Sequence, residues 1–376
     1  MDFDLPDDLA AVRELSAQIF EDRATVERIR AVETDSHGHD AELWKILAEA
    51  GLLGISLPEE AGGAGLGVLG MATVLEQQGR RAAPIPLWAV LSTAALPIAR
   101  FGSPEQRERW LPGVADGGTI VTGDFGLRAD GSPAALALAA GEGWRISGEL
   151  TGVAGAGVAD AVVLPFRLDS GGRAVAVVPT GRPGLTVTPQ ESTNRGETGA
   201  FTLEDVPLAA ADLLSGDGDE IIEWVLARAR VALAALQLGV CEEAVRITAA
   251  YTSQRHQFGR PLSTNQAVAL RAADAYLDTE CIRLTSQRAA WLLDQGEEHD
   301  GRIAALVAKS WAARGGLRVV HATQHLHGGI GADVEYPIHR YFLFGRQAAI
   351  TLGGAAATEA RLGGLLEQAP RIGAPT

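Results

Sequence analysis

Cysteine is scarce in this 376-residue chain, which holds only Cys241 and Cys281. Two cysteines supply neither a disulfide framework nor a thiolate metal site, so both are expected as small buried apolar side chains in a reducing cytoplasm. Basic charge is in deficit too, with 32 Lys and Arg against 47 Asp and Glu and a net charge of −15. Such a surface repels polyanions, which argues against a nucleic-acid or membrane-surface binder; any anionic ligand must use a local basic site. No uninterrupted apolar run of membrane-spanning length is expected, and the N-terminus is acidic from Asp2 without a basic and then apolar leader. Neither insertion nor export is therefore expected. What the chain does have is 47% hydrophobic side chains, enough for two or three folded domains.

Its texture changes twice. From Asp7 to about Asp116 apolar residues recur at three- and four-residue steps, as in Leu43, Ile46, Leu47 and Ala50. That spacing predicts short packed helices, with Ser103 capping one that opens on Pro104. From Thr119 to about Leu208, Val-rich runs alternate with glycine and proline: Ile120 to Thr122, Ala161 to Phe166, Ala174 to Pro179 and Leu185 to Thr188. These predict a compact β domain, a barrel or sandwich. From Gly218 the chain is Ala- and Leu-rich again, and Ile222, Val225, Leu226, Ala229, Leu233, Leu236 and Val240 make one stripe on a long helix of a four-helix bundle. The expected fold class is α+β, divided into an N-terminal helical domain (1–118), a middle β domain (119–215) and a C-terminal helical bundle (216–376).

Four motifs stand out. Leu57-Pro58-Glu59-Glu60-Ala61-Gly62-Gly63 and Phe101-Gly102-Ser103-Pro104-Glu105-Gln106 lie in the first zone. Gln254-Arg255-His256-Gln257-Phe258-Gly259-Arg260-Pro261-Leu262 with Gln266, and His325-Leu326-His327-Gly328-Gly329-Ile330-Gly331 running to Glu335-Tyr336-Pro337, lie in the last. In this order, across nearly the whole chain, they resemble the acyl-CoA dehydrogenases. The resemblance implies an FAD enzyme that dehydrogenates an acyl-CoA thioester. It also implies that the last two motifs hold the adenine and pyrophosphate end of FAD in a neighbouring subunit's site. The residue types suit that role: Arg255 offers a planar charged fork to a diphosphate, Phe258 a flat apolar face, and Gln266 both a donor and an acceptor. Gly328 and Gly329 let backbone amides approach closely, and His325 stands where many relatives carry glutamine. The structural alternative makes Phe258 core, Arg255 a solvated charge and the glycine pair a helix stop.

The chain departs from the family where the chemistry is done. Removing the α proton needs a base, which the resemblance assigns to a glutamate at one of two places. Here Leu352 occupies the first, within Ile350-Thr351-Leu352-Gly353-Gly354, and Ala229 the second. Neither takes a proton. The flavin-ring loop is reduced to Gly123-Asp124-Phe125-Gly126-Leu127-Arg128, and the second ring-contacting segment to Gly152-Val153-Ala154. The chain thus resembles the non-catalytic subunit of the α2β2 acyl-CoA dehydrogenases of actinobacterial sterol side-chain degradation, as do its start at Met1-Asp2-Phe3 and its short length. A second dehydrogenase-like subunit bearing the glutamate is the implied partner. The rival readings are a homomeric flavoenzyme with Glu359 or Asp124 as base, and a scaffold that catalyses nothing.

Other signals are read as structural. Gly65-x-Gly67-x-x-Gly70 satisfies a dinucleotide fingerprint but follows no strand. His37-x-His39 and His325-x-His327 lack a third ligand beside them, so no metal is expected. Glu359 is expected to face solvent or pair with Arg361. Arg228 and Arg230 are equally suited to an anionic ligand or to pairing with acids.

Overall fold

A computed structural model describes residues 3–35, 38–128 and 130–367. Met1, Asp2 and His37 lie outside the described residues. Helices α1 (Asp7–Arg23), α2 (Val26–Asp35), α3 (Ala41–Glu49) and α4 (Gly67–Arg81) come first. Then α5 (Leu87–Ala89) runs through a π-helical stretch, Val90–Ala95, into α6 (Leu96–Phe101), and α7 (Pro104–Ala115) follows. Ser103 caps the helix that opens on Pro104, as expected, and Gln106 makes the cap reciprocal: the Ser103 hydroxyl accepts from the Gln106 amide at 3.2 Å, and the Ser103 amide donates to the Gln106 side chain at 2.9 Å.

The middle of the chain forms one curled seven-stranded sheet. Its strands are β1 (Val121–Gly123), β2 (Ala135–Ala140), β3 (Gly143–Ala154), β4 (Ala161–Leu168), β5 (Arg173–Pro179), β6 (Leu185–Pro189) and β7 (Thr198–Leu208). β1 and β2 lie end to end and parallel along one edge of β4, β5 pairs antiparallel along the other, and β2-β3-β7-β6 continues antiparallel. Two register shifts between β3 and β7 curl the sheet, as bulges do. Phe166, Phe201, Ile146 and Val178 fill its inner face.

The last zone consists of α8 (Gly218–Gln254), a hairpin of β8 (His256–Gln257) and β9 (Arg260–Pro261), then α9 (Gln266–Asp294), α10 (Glu298–Leu326), α11 (Ile338–Ile350) and α12 (Ala355–Leu366). The α+β class is as expected. α8 is long and apolar enough by composition to cross a membrane, although Arg228 and Arg230 interrupt its apolar run; 94% of its apolar window is buried in protein. Its stripe is not one-sided, since α4 covers the face opposite the bundle. The two helices cross where a Cβ on Gly79 would lie 2.0 Å from the Leu236 carbonyl oxygen and one on Gly239 would lie 1.9 Å from that of Glu76. Any side chain at either glycine would push the axes apart and open the main core.

Candidate functional site

The two cofactor motifs sit at the ends of neighbouring helices and are brought together. α8 ends at Gln254, and Arg255, already extended, takes an amide bond from Leu262 at 2.8 Å across the β8–β9 hairpin. The hairpin turns through Phe258 (φ 56°) and Gly259 (φ 76°). Both lie in the left-handed region, which a two-residue turn of this hand requires. Glycine takes that backbone freely, whereas phenylalanine is strained there, and the result is a ring 94% exposed at the hairpin tip. The structural alternative, in which Phe258 belongs to the core, is excluded. Arg255 and Gln266 are also exposed, Gln266 being the first residue of α9 after its Asn265 cap.

α10 ends at Leu326. Gly328 (φ 63°) turns the chain into a short 3-10 helix, Gly328–Ala332, and a Cβ at Gly328 or Gly329 would meet open space. Gly328 thus stops the helix, and both glycines are also bare backbone facing outward. His325 is exposed on the same end, whereas His327 points inward. The His327 Nδ1–H donates to the Thr323 carbonyl at 2.7 Å, burial holds the ring below its ordinary pKa, and its Nε2 has no partner among the described residues. Its ring stacks on Tyr251 at 4.5 Å, and the Tyr251 hydroxyl donates to the His327 carbonyl at 3.3 Å. Tyr251 lies one turn before Arg255, so this contact fixes one motif against the other. Tyr251 and His327 were not singled out as site residues from the sequence; the position of Tyr251 one turn before Arg255, and of His327 beside Gly328, was the available signal.

The positions assigned to the base hold no proton acceptor. Ala229 is fully buried in α8, and Leu352, at φ 56°, packs its side chain against the main core beyond the end of α11. Between that end and the reduced ring segment is a cavity of about 50 Å³, lined by Trp88, Gly152, Ala154, Leu233, Phe344 and Thr351 among others. Glu197, which the sequence gave no reason to single out, also lines it. Its Oε1 accepts from the Gly157 amide at 2.7 Å, its Oε2 has no partner among the described residues, and burial raises the carboxyl's pKa. Asp124 accepts from the Gly126 amide at 2.9 Å and is pushed up to about 6 by burial, but it does not line this cavity. Of the two expectations for Glu359, facing solvent or pairing with Arg361, the pairing is not formed and the side chain is only partly exposed. It accepts from the Ser310 hydroxyl at 2.9 Å and pairs with Arg314, while Arg361 pairs with Glu223. The reason is tertiary: α12 lays Glu359 along α10 and turns Arg361 toward α8.

Arg228 and Arg230 separate into two cases. Arg228 is bonded to Glu298 at 2.7 and 3.2 Å and lies 3.6 Å over the Trp224 ring, a structural pairing. Arg230 is buried with no hydrogen-bonding or ionic partner among the described residues. The dinucleotide-like glycines have a structural role as well. The amides of Val68 and Leu69, which open α4, donate to the Asp294 carboxylate at 2.7 and 2.9 Å, so a side chain from α9 occupies the place a phosphate would take. Cys241 is buried, whereas Cys281 is only half-buried, short of the full burial expected. No group of three metal-ligating side chains occurs among the described residues.

Comparison with known proteins decides the family. Residues 6–118 match the acyl-CoA dehydrogenase N-terminal domain and residues 216–361 the acyl-CoA dehydrogenase C-terminal domain. The acyl-CoA dehydrogenase FadE27 of Mycobacterium tuberculosis is 36% identical over 92% of this chain and 93% of its own length. The chain belongs to the acyl-CoA dehydrogenase family. Its fold matches a chain of the Tcur3481-Tcur3483 steroid ACAD at 45% identity and a TM-score of 0.90, over 96% of this chain and 98% of that one. It also matches a chain of the ChsE4-ChsE5 complex from M. tuberculosis at 36% identity and a TM-score of 0.93, over 98% and 100%. Acyl-CoA dehydrogenases are FAD-dependent, and FAD is the cofactor of this family.

Proposed function

We propose that this chain is the base-less subunit of a heteromeric, cytoplasmic acyl-CoA dehydrogenase. In this reading a second acyl-CoA dehydrogenase-like subunit carries the catalytic glutamate and surrounds the flavin ring. This chain lends it Arg255, Phe258, Gln266, His325, Gly328 and Gly329 at the adenine and pyrophosphate end of FAD. When bound, FAD supplies the acceptor for the hydride leaving the β carbon. Arg255 places a permanent charge against the diphosphate, the Phe258 face covers an apolar surface beside it, and the bare amides at Gly328 and Gly329 accept close approach. The exposure of all these groups, on an end held together by Tyr251 and His327, fits donation outward to another chain. A sterol-derived thioester is the proposed substrate class, in keeping with the steroid ACAD at 45% identity.

The observation that supports the base-less role most is the cavity beside Gly152, Ala154 and Thr351. About 50 Å³ admits a few waters, whereas pockets for drug-sized ligands run to roughly 300–1,000 Å³. The space between those residues is narrow, and Leu352 adds no base. A second reading, a homomeric flavoenzyme with a non-standard base, is favoured only by the Glu197 carboxyl lining that cavity. Purification of the chain alone and with a co-expressed dehydrogenase-like neighbour, followed by an absorption spectrum, separates the two. Flavin bands only in the pair are expected; stoichiometric flavin in the pure homomer overturns the proposal in favour of the second reading.

A further inference from the structure

The loop that carries Gly328 and Gly329 is held from outside the bundle by a helix that none of the sequence motifs marks. α2 buries Ile29 and Val32 and turns Arg30 and Glu33, one turn apart, toward the C-terminal domain. The Arg30 guanidinium donates to the Val334 carbonyl at 3.2 Å and pairs with the Glu335 carboxylate at 2.7 Å. Glu33 accepts two hydrogen bonds from Arg340, in the first turn of α11, at 3.2 and 3.1 Å, and both side chains are buried. Arg28, two residues before Arg30, turns elsewhere and bonds Asp40 at 2.6 and 2.9 Å.

The two halves of the loop are thus fixed by different domains. The first half belongs to the bundle: His327 stacks on Tyr251, and the Gln324 side chain donates to the Gly331 carbonyl at 3.0 Å. In the second half Tyr336 packs into the same aromatic cluster, but the backbone just before it is bonded by α2 of the N-terminal domain. Burial does not fix that stretch, since Val334 is 54% exposed and the Glu335 side chain 72%. A segment with so little buried surface opens at low free-energy cost unless polar contacts close it. Arg30 supplies such a contact, because its planar fork engages a main-chain carbonyl and the adjacent carboxylate at once.

We propose that Arg30 is a positioning residue for the cofactor: it keeps the Val334 and Glu335 side of the loop closed, so that the amides at Gly328 and Gly329 stay aimed at the pyrophosphate of FAD in a neighbouring subunit. Arg30 acts through the loop and is assigned no contact with FAD. This role presupposes the lent half-site proposed above, and it brings in the N-terminal domain, which contributes none of the cofactor residues assigned there.

The test uses two readouts on the flavin-free complex with the dehydrogenase-like partner: hydrogen exchange in residues 328–337, which needs no flavin, and fluorimetric titration with FAD. Arg30→Ala keeps a good helix former in α2. It is expected to speed exchange in the loop and to weaken FAD binding by about three- to tenfold, the range of an exposed charge-assisted contact. Arg28→Ala removes the same charge from the same helix and is expected to leave both readouts near wild type. Should Arg30→Ala yield no complex, Glu335→Gln breaks the pair from the loop side and is read in the same way. Unchanged FAD affinity in Arg30→Ala, with affinity lost in Arg255→Ala, overturns this proposal and leaves the lent half-site standing. Equal losses in Arg28→Ala and Arg30→Ala overturn it too, because the charge of α2 and not the loop contact would then be the cause. Unchanged affinity in Arg255→Ala removes the half-site and the role of Arg30 with it.

Discussion

The Tyr251 ring stacks on that of His327 at 4.5 Å and 25°, and through this contact the end of α8 that presents Arg255 is locked to the end of α10 that presents Gly328. Tyr336 closes the cluster at 5.2 Å from His327. Aromatic pairs of this kind contribute about 0.5–1.5 kcal/mol beyond the area they bury. Tyr251→Ala is therefore expected to lower the FAD content of the assembled complex although Tyr251 itself is not assigned to the cofactor. Tyr251→Phe keeps the stack and gives up only a 3.3 Å hydrogen bond, so its flavin content should stay near wild type. Flavin absorbance per complex checks both, and equal losses in the two variants would show that the ring pair does not set the register of the motifs.

Arg255→Ala and Glu359→Gln should behave oppositely. Losing a charge-assisted, bidentate diphosphate contact removes about 1.5–3 kcal/mol, roughly ten- to a hundredfold in FAD affinity. Glu359 touches Ser310 and Arg314 on the outer side of α10, so neutralising it should leave turnover within about twofold and cost at most ~1 kcal/mol of stability. Fluorimetric FAD titration and steady-state turnover of the complex read the contrast. Loss of turnover in Glu359→Gln with flavin still bound would make Glu359 the base.

The α, β, α texture was legible because apolar spacing of three and four residues and Val-rich runs are local signals. β2 was not: Ala-Leu-Ala-Leu-Ala-Ala lacks the β-branched residues that mark a strand, and only its pairing with β3 and β4 makes it one. β3 and β7 were masked by their glycines and charges, which the sheet tolerates at its register shifts. At the candidate site, the chemistry of Arg255 and Phe258 could be read from residue types. That His325 faces outward and His327 inward could not, because which side of α10 meets Tyr251 is a tertiary matter. Glu197 and the Glu359–Arg314 pair were hidden for the same reason, as their partners lie 40 or more residues away in sequence.

Lys309 gives a pH signature. Its folded-state pKa, about 7, lies below its ordinary value of 10.5, so between those limits the unfolded chain holds a proton that the folded chain has released. Stability from this group therefore rises with pH across the window, by up to about 1.4 kcal/mol per pH unit, and is flat below pH 7 where both states are protonated. Lys309→Met should lose that rise. Urea unfolding of both proteins from pH 7 to 9.5 tests it, and parallel slopes would show that the lysine is not neutralised by burial.

Restoring a carboxylate with Leu352→Glu is not expected to create a second active site. Proton removal requires the base, the α carbon and the hydride acceptor in one alignment, and a misplacement of about an ångström already costs roughly a hundredfold. Glutamate at 352 would supply the first element alone. The cavity beside it stays near 50 Å³ because Trp88, Leu233 and Phe344 fill the space on the helical side, and Gly152 and Ala154 offer no polar side chain for a ring on the other. Leu352 also packs against the main core, so the substitution removes an apolar contact and places a half-buried carboxyl with no assigned partner, which raises its pKa or loosens the α11–α12 connection. Melting temperature should fall modestly while flavin per complex and turnover per complex stay constant. Active-site titration before and after the substitution, counting reducible flavins and dehydrogenated thioester, makes the distinction. One added flavin per substituted subunit, with a matching gain in product, would mean that Leu352 alone silences this chain and that its narrowed cavity opens when the base returns.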